Sequence, residues 1–263
     1  MPELIEVKNI SCGYCNFPVL KSVSFEIKDG EFLGIIGPNG SGKSTLLKSL
    51  SHSLKPRQGV INYHDKNLYS ITNTEIARDF AFVPQDTVFN FSFTVWEVAL
   101  MGRIPYLKPM QKESRSDLEI AQESMRITDT LKLKMRQINE LSAGEKQMVI
   151  IAKALTQEPK VLFLDEPTSH LDIGHQIKIL NLVKELNRNK KITVIIVLHD
   201  LNLASEYCDK ILLLSEGAVN KIGPAQEVLT YETIENVYKT LVLVHKNPVS
   251  GKPHILLLKK EKA

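Results

Sequence analysis

The octapeptide Gly37-Pro38-Asn39-Gly40-Ser41-Gly42-Lys43-Ser44 constrains this chain more than any other feature, because it fits G-x-x-x-x-G-K-[ST] and lies between a strand and a helix. Phe32-Leu33-Gly34-Ile35-Ile36 reads as a buried strand. Leu46, Leu47, Leu50 and Leu54 fall on one face of a following helix that ends near Pro56. Between them, glycines let the backbone curl so that successive N–H groups, with the helix N-terminus, cradle a β-phosphate. Lys43 suits the β and γ oxygens, and the Ser44 hydroxyl suits Mg²⁺. Only a nucleoside triphosphate uses all of these groups, yet the loop by itself leaves a nucleotide kinase, a GTPase and other NTPases open.

The strand-loop-helix unit predicts an α/β core, and the rest of the chain agrees. Val161 to Leu164 and Ile192 to Leu198 are further apolar runs separated by a helical stretch, Gly174 to Asn187, which is the rhythm of a buried parallel sheet. Ahead of the loop, Leu4 to Val7 and Val23 to Ile27 alternate apolar and polar with turn signals at Cys12-Gly13 and Asp29-Gly30, predicting short antiparallel strands. From about Ser92 to Pro159 helical periodicity dominates, including Asp117 to Leu133 and Ala143 to Leu155. Glu227 to Leu241 reads as a helix and Val244 to Leu258 as a hairpin.

Composition closes off other classes. The 33 basic and 30 acidic side chains leave a net charge of +3 with no basic stripe, so nucleic acid is not expected as a partner. Ile192 to Leu198 spans seven residues, against the roughly 20 that a membrane-spanning helix needs. The N-terminus lacks the basic and apolar regions of a secretory signal, so a cytosolic protein with reduced thiols is expected. Cys12 and Cys15 form a Cys-x-x-Cys, but there is no second pair, and neither is assigned a metal or redox role.

Two further segments carry chemistry. Asp165 and Glu166 stand at the C-terminal end of a buried strand, the edge where open α/β sheets bind ligands. Asp165 suits the shell of Mg²⁺, and Glu166 suits a general base for attacking water. Leu141-Ser142-Ala143-Gly144-Glu145 precedes a helix with the S-x-x-E spacing of a capping box; its residues alone favour an ordinary helix cap, although its glycine would allow an anion close to free N–H groups.

The order phosphate loop, Gln85, Leu-Ser-x-Gly-Glu, Asp165-Glu166, His199 resembles the ATP-binding cassette family from Tyr14 to about Gly223. The resemblance implies a single cassette ATPase domain with a RecA-like P-loop core, an antiparallel β-subdomain and a helical subdomain. Residues 1–90 and 160–222 would form the nucleotide-binding core, 91–159 the helical signature subdomain, and 223–263 a C-terminal extension. It implies a homodimer in which each ATP lies between the loop Gly37 to Thr45 of one subunit and the Ser142, Ala143, Gly144 and Glu145 turn of the other. Tyr14 resembles the adenine-stacking aromatic, Gln85 the Mg²⁺ and water sensor, Asp172 the dimer-communication loop, and His199 the γ-phosphate switch. Catalysis would thus rest on Glu166, His199, Lys43 and Gln85, with Ser44, Gln85 and Asp165 at the metal. Ala143 and Glu145 depart from the commonest signature, Leu-Ser-Gly-Gly-Gln, and Glu145 adds negative charge near phosphate.

Phe91 to Val95, Met101 to Leu107, Thr168 to Asp172 and Gly223 to Thr230 look like the importers of iron siderophores, haem and cobalamin. That likeness implies a polytopic permease contacting Phe93 to Leu107, an extracytoplasmic substrate-binding protein acting indirectly, and a peripheral location on the cytoplasmic face of the membrane. The alternative is a soluble cassette ATPase acting on nucleic acid or ribosomes. Gln85 and Ser142 lie only 57 residues apart, too close for the long coiled coil that splits DNA-repair relatives.

Overall fold

The computed structural model describes residues 3–15, 17–87, 89 and 91–258. The chain divides into two compact units, residues 1–70 with 193–263, and residues 71–192. These bounds differ from the expected 91–159 insert, because strand Phe80–Val83, strand Val161–Asp165 and helix Ile173–Lys190 fall within the second unit.

The first unit contains two sheets. Strands Glu3–Tyr14 and Phe17–Lys28 pair antiparallel, and Gln58–Tyr63 and then Lys66–Asn67 extend the sheet on the free side of Glu3–Tyr14. The two opening strands have 12 residues each, longer than the alternation suggests. Cys12-Gly13 is not a turn: Gly13 stays in the strand opposite Pro18, where a Cβ would lie 2.0 Å from the Phe17 carbonyl oxygen. In the second sheet Phe32–Ile36 runs parallel to Thr193–Val197 on one side and Lys210–Ser215 on the other. Ala218–Gly223 closes that edge antiparallel to Lys210–Ser215. Every residue of Phe32–Ile36 and Thr193–Val197 is buried, so neither strand shows the alternation of a one-faced sheet.

The expected Glu227 to Leu241 helix is broken into Ala225–Val228 and Tyr231–Tyr238. Thr230 starts the second piece anew, its side chain accepting the Thr233 N–H at 3.3 Å. Strands Val242–Lys246 and Pro253–Leu257 form the expected hairpin. The hairpin is tied to helix Leu201–Tyr207: the Asn202 amide exchanges hydrogen bonds with the Ile255 backbone at 2.7 and 3.2 Å, and Ser205 Oγ donates to the Pro253 carbonyl at 2.7 Å.

In the second unit Phe80–Val83 and Val161–Asp165 pair parallel. Around them stand helices Asn73–Asp79, Val95–Leu100, Arg115–Ile127, Ala143–Thr156 and Ile173–Lys190. The expected Asp117 to Leu133 helix stops at Ile127, and a 3-10 turn, Leu131–Leu133, follows. Val95, Val98, Met125, Ile138 and Val149 form the apolar core of these helices. Arg103 is buried at its edge, donating to Asp117 at 2.8 Å, to the Thr156 carbonyl at 3.0 Å and to Glu158 at 2.8 Å, with the Tyr106 ring 3.9 Å from its guanidinium. No helix among the described residues is long and apolar enough to cross a membrane.

Candidate active site

Strand Phe32–Ile36 delivers the phosphate loop. Gly37 follows with φ 151°, and a Cβ there would lie 2.2 Å from the Leu214 carbonyl oxygen and 2.7 Å from Ser41 Oγ, so only glycine lets the chain leave the sheet here. Gly42 opens helix Lys43–Leu50 in the left-handed region, φ 103°, and brings no capping side chain. The Lys43 ammonium is buried and donates to the carbonyls of Gly37 at 2.9 Å and Pro38 at 3.0 Å. The loop thus folds around its own lysine. Ser41 Oγ, also buried, has no hydrogen-bond partner among the described residues, an arrangement that suits an incoming oxyanion. Asn39 and Gly40 are exposed, whereas Ser44 is half-buried and Thr45 buried.

Tyr238, from the helix Tyr231–Tyr238, sets its phenol against the Gly37 backbone. Burial pushes that phenol above its ordinary value, and hydrogen bonding from the Gly37 N–H opposes the rise. No sequence pattern marks Tyr238, since its contact with the loop joins residues some two hundred positions apart.

At the end of Val161–Asp165, Asp165 and Glu166 are both buried. Glu166 adopts φ 48°, a left-handed conformation that costs a non-glycine residue of order 1 kcal/mol or more. Gln85 Nε2 donates to Glu166 Oε2 at 2.9 Å, and Ser169 Oγ donates to the same oxygen at 3.3 Å. The structure therefore joins Gln85 to Glu166 and adds Ser169, to which no sequence motif gives a role in the site although it follows Glu166 by three positions. Gln85, Ala143, Lys146, Ser169 and His170 line an open cleft of about 210 Å³.

Ser142 caps helix Ala143–Thr156 as the spacing predicts. Its hydroxyl accepts the Glu145 N–H at 3.3 Å, and Glu145 Oε2 accepts the Ser142 N–H at 2.9 Å. That backbone bond, followed by the Ser142 hydroxyl, holds the Glu145 carboxyl below its ordinary range. Its charge is thus directed back onto the cap. At Gly144 an added Cβ would meet the His175 ring, 2.1 Å from Cδ2, so the lack of a side chain makes room for an imidazole.

The remaining candidate residues stand on other elements. Asp172 caps helix Ile173–Lys190. His199 is exposed, just past strand Thr193–Val197 and ahead of Asp200, which caps Leu201–Tyr207. Tyr14 ends strand Glu3–Tyr14 opposite Phe17 and is 46% exposed, available to a flat ring. Cys12 is buried and receives Ser49 Oγ, while Cys15 is exposed.

Residues 20–169 match the family model described as "ABC transporter". An uncharacterized ABC transporter ATP-binding protein of Methanocaldococcus jannaschii is 38% identical over 89% of this chain and 91% of its own length. The ferric enterobactin transport ATP-binding protein FepC of Escherichia coli is 36% identical over 95% of this chain and 93% of its own. A solved structure described as an inward-facing conformation of a putative metal-chelate type ABC transporter superposes with TM-score 0.87 at 28% identity, covering 99% of each chain.

Proposed function

The chain belongs to the family of ABC transporter ATP-binding proteins, ATP-hydrolysing subunits of transporters, and from that premise we propose that it drives uptake of an iron complex or of cobalamin through a separate permease. The iron complex would be a siderophore or haem. Support for the cargo class comes from the near full-length likeness to a ferric enterobactin transport protein.

The observation that carries the mechanism is Glu166, set on a left-handed backbone with Gln85 and Ser169 both donating to Oε2. Two donors on one oxygen fix the carboxylate's orientation, and the carboxylate takes the proton from the water that attacks the γ-phosphate. Lys43, already desolvated, exchanges loop carbonyls for phosphate oxygens, and Ser41 Oγ gains the acceptor it lacks. Ser44, Gln85 and Asp165 offer the hard oxygen donors that Mg²⁺ prefers, and the ion would supply charge neutralisation on the phosphates. Tyr14 stacks on adenine, and His199 contacts the γ-phosphate as its switch.

Ser142 and Ala143 are exposed and the turn satisfies its own cap, as a surface presented to the nucleotide of a second subunit would. We assign it that role in a head-to-tail homodimer. In the proposed permease-facing segment Phe93 to Leu107, Val95, Val98 and Ala99 are buried in the helical core, whereas Ile104, 63% exposed, offers a large apolar side chain for the contact. Such a subunit works on the cytoplasmic face of the membrane, with an extracytoplasmic binding protein acting indirectly.

Affinity capture of the tagged protein from detergent-solubilised membranes of its own host tests this reading. A co-purified polytopic permease whose cargo stimulates ATP hydrolysis is the expected result. Recovery of ribosomes or nucleic acid instead would overturn it in favour of a soluble cassette ATPase.

A further inference from the structure

His175 lies outside every motif named above, yet it joins two of them. Its backbone N–H donates to Asp172 Oδ1 at 3.0 Å, and its Nδ1 lies 2.6 Å from Asp172 Oδ2, so one carboxylate grips both ends of the residue. These bonds, with one from the Gly174 backbone, hold the Asp172 carboxyl below its ordinary range. The ring then lies over Gly144, where an added Cβ would come within 2.1 Å of Cδ2 and 2.6 Å of Nε2. Helix Ala143–Thr156 can approach helix Ile173–Lys190 this closely only because residue 144 is glycine. Around the ring stand Glu145, itself facing Arg136, and Lys178, which with Lys132 pairs with Asp129.

We infer that His175 is a positioning residue that locks the Ser142–Glu145 turn to the Asp172 loop, so that both are presented to the second subunit as one rigid edge. The inference rests on the dimer reading above. The imidazole tethered at Nδ1 has little rotational freedom, and its flat face sets the separation of the two helix starts. Asp172 and Ser142 are exposed and reach outward, whereas the half-buried ring between them serves as a spacer. No atom of His175 is needed at the nucleotide itself.

Two substitutions test this. In a Glu166→Gln background, which should trap the ATP-bound dimer, His175→Ala is expected to lower the ATP-dependent dimer fraction about tenfold in light scattering. ATP affinity of the separate subunit, measured at low protein concentration, should stay within about twofold, a split that general loss of structure would not produce. With Glu166 restored, Gly144→Ala should lower turnover as much as His175→Ala does, and the double variant should be no worse than His175→Ala alone, because the ring that the new methyl strikes is gone. Unchanged dimerisation in His175→Ala, parallel loss of subunit ATP affinity, or multiplying losses in the double variant would overturn the assignment. If Glu166→Gln itself forms no ATP-dependent dimer, the dimer reading falls and takes this inference with it, whereas with a parent that dimerises any loss is traced to His175 alone.

Discussion

Helices Lys43–Leu50 and Ala143–Thr156 both begin at proposed nucleotide contacts, and they begin in opposite ways. The first is opened by Gly42, which carries no capping oxygen, inside a loop that buries a lysine on its own carbonyls and leaves Ser41 Oγ without a partner among the described residues. The second is opened by a full capping box, with the Ser142 hydroxyl and Glu145 carboxylate each occupied by the other's backbone N–H. A loop with desolvated, undersatisfied polar groups gains most when an anion enters. A turn that closes its own hydrogen bonds gains less from an anion and is better suited to lie rigidly against one held elsewhere. The contrast supports the proposed division, with binding at the first region and completion of the site at the second.

The predictions that press hardest on this contrast concern chemistry, then binding, then the frame under the second region. Glu166→Gln should slow hydrolysis about a thousandfold, within the range general-base loss produces, while ATP affinity stays near the parent's. A rate equal to the parent's would remove Glu166 from the mechanism. Lys43→Ala should weaken ATP binding about a hundredfold in equilibrium titration, since a charge-assisted contact to phosphate disappears. Undiminished affinity would mean that the loop does not bind through its lysine.

Asp117→Asn tests whether the helical unit's rigidity depends on its buried Arg103 pair. Hydrogen bonds from Ser114, its side chain ahead of its backbone, and then from Arg103 hold the Asp117 carboxyl below its usual range. A depressed carboxylate contributes stability that is present above its unfolded pKa, about 3.9, and lost as pH falls through the folded value. The variant should therefore be less stable by about 3–5 kcal/mol at pH 7, as breaking a buried pair costs, and the gap to the parent should close below about pH 4 in denaturant titrations. A gap that persists in acid would place the effect in packing. Smallest of all, Ser142→Ala should cost about 1 kcal/mol of stability through the lost cap. It should depress turnover while leaving the isolated subunit's ATP affinity alone; a matching loss of that affinity would blur the distinction between the two helix starts.

Local chemistry was legible in the chain wherever neighbours in sequence carry it. The phosphate loop, the buried strand before it and the Ser142–Glu145 box depend on spacings of a few residues, and each stands as its spacing predicts. Boundaries were less legible. The apolar pattern of Glu227 to Leu241 continues through Thr230, but a threonine that caps a fresh helix interrupts the structure without interrupting the pattern. Cys12-Gly13 carries a turn's composition, yet its glycine serves the close approach of a paired strand.

The sequence by itself determined that this chain builds an α/β core with a phosphate loop between a buried strand and a helix, because glycine conformations, caps and apolar runs act over one or two turns of backbone. Only the tertiary structure decided what those side chains meet. Gln85 reaches Glu166 across 81 positions, Tyr238 comes to rest on Gly37, and Gly144 is filled by His175. Such contacts depend on how helices and strands far apart in the chain come to lie together, and packing of that kind leaves no periodic signature in the residues that make it.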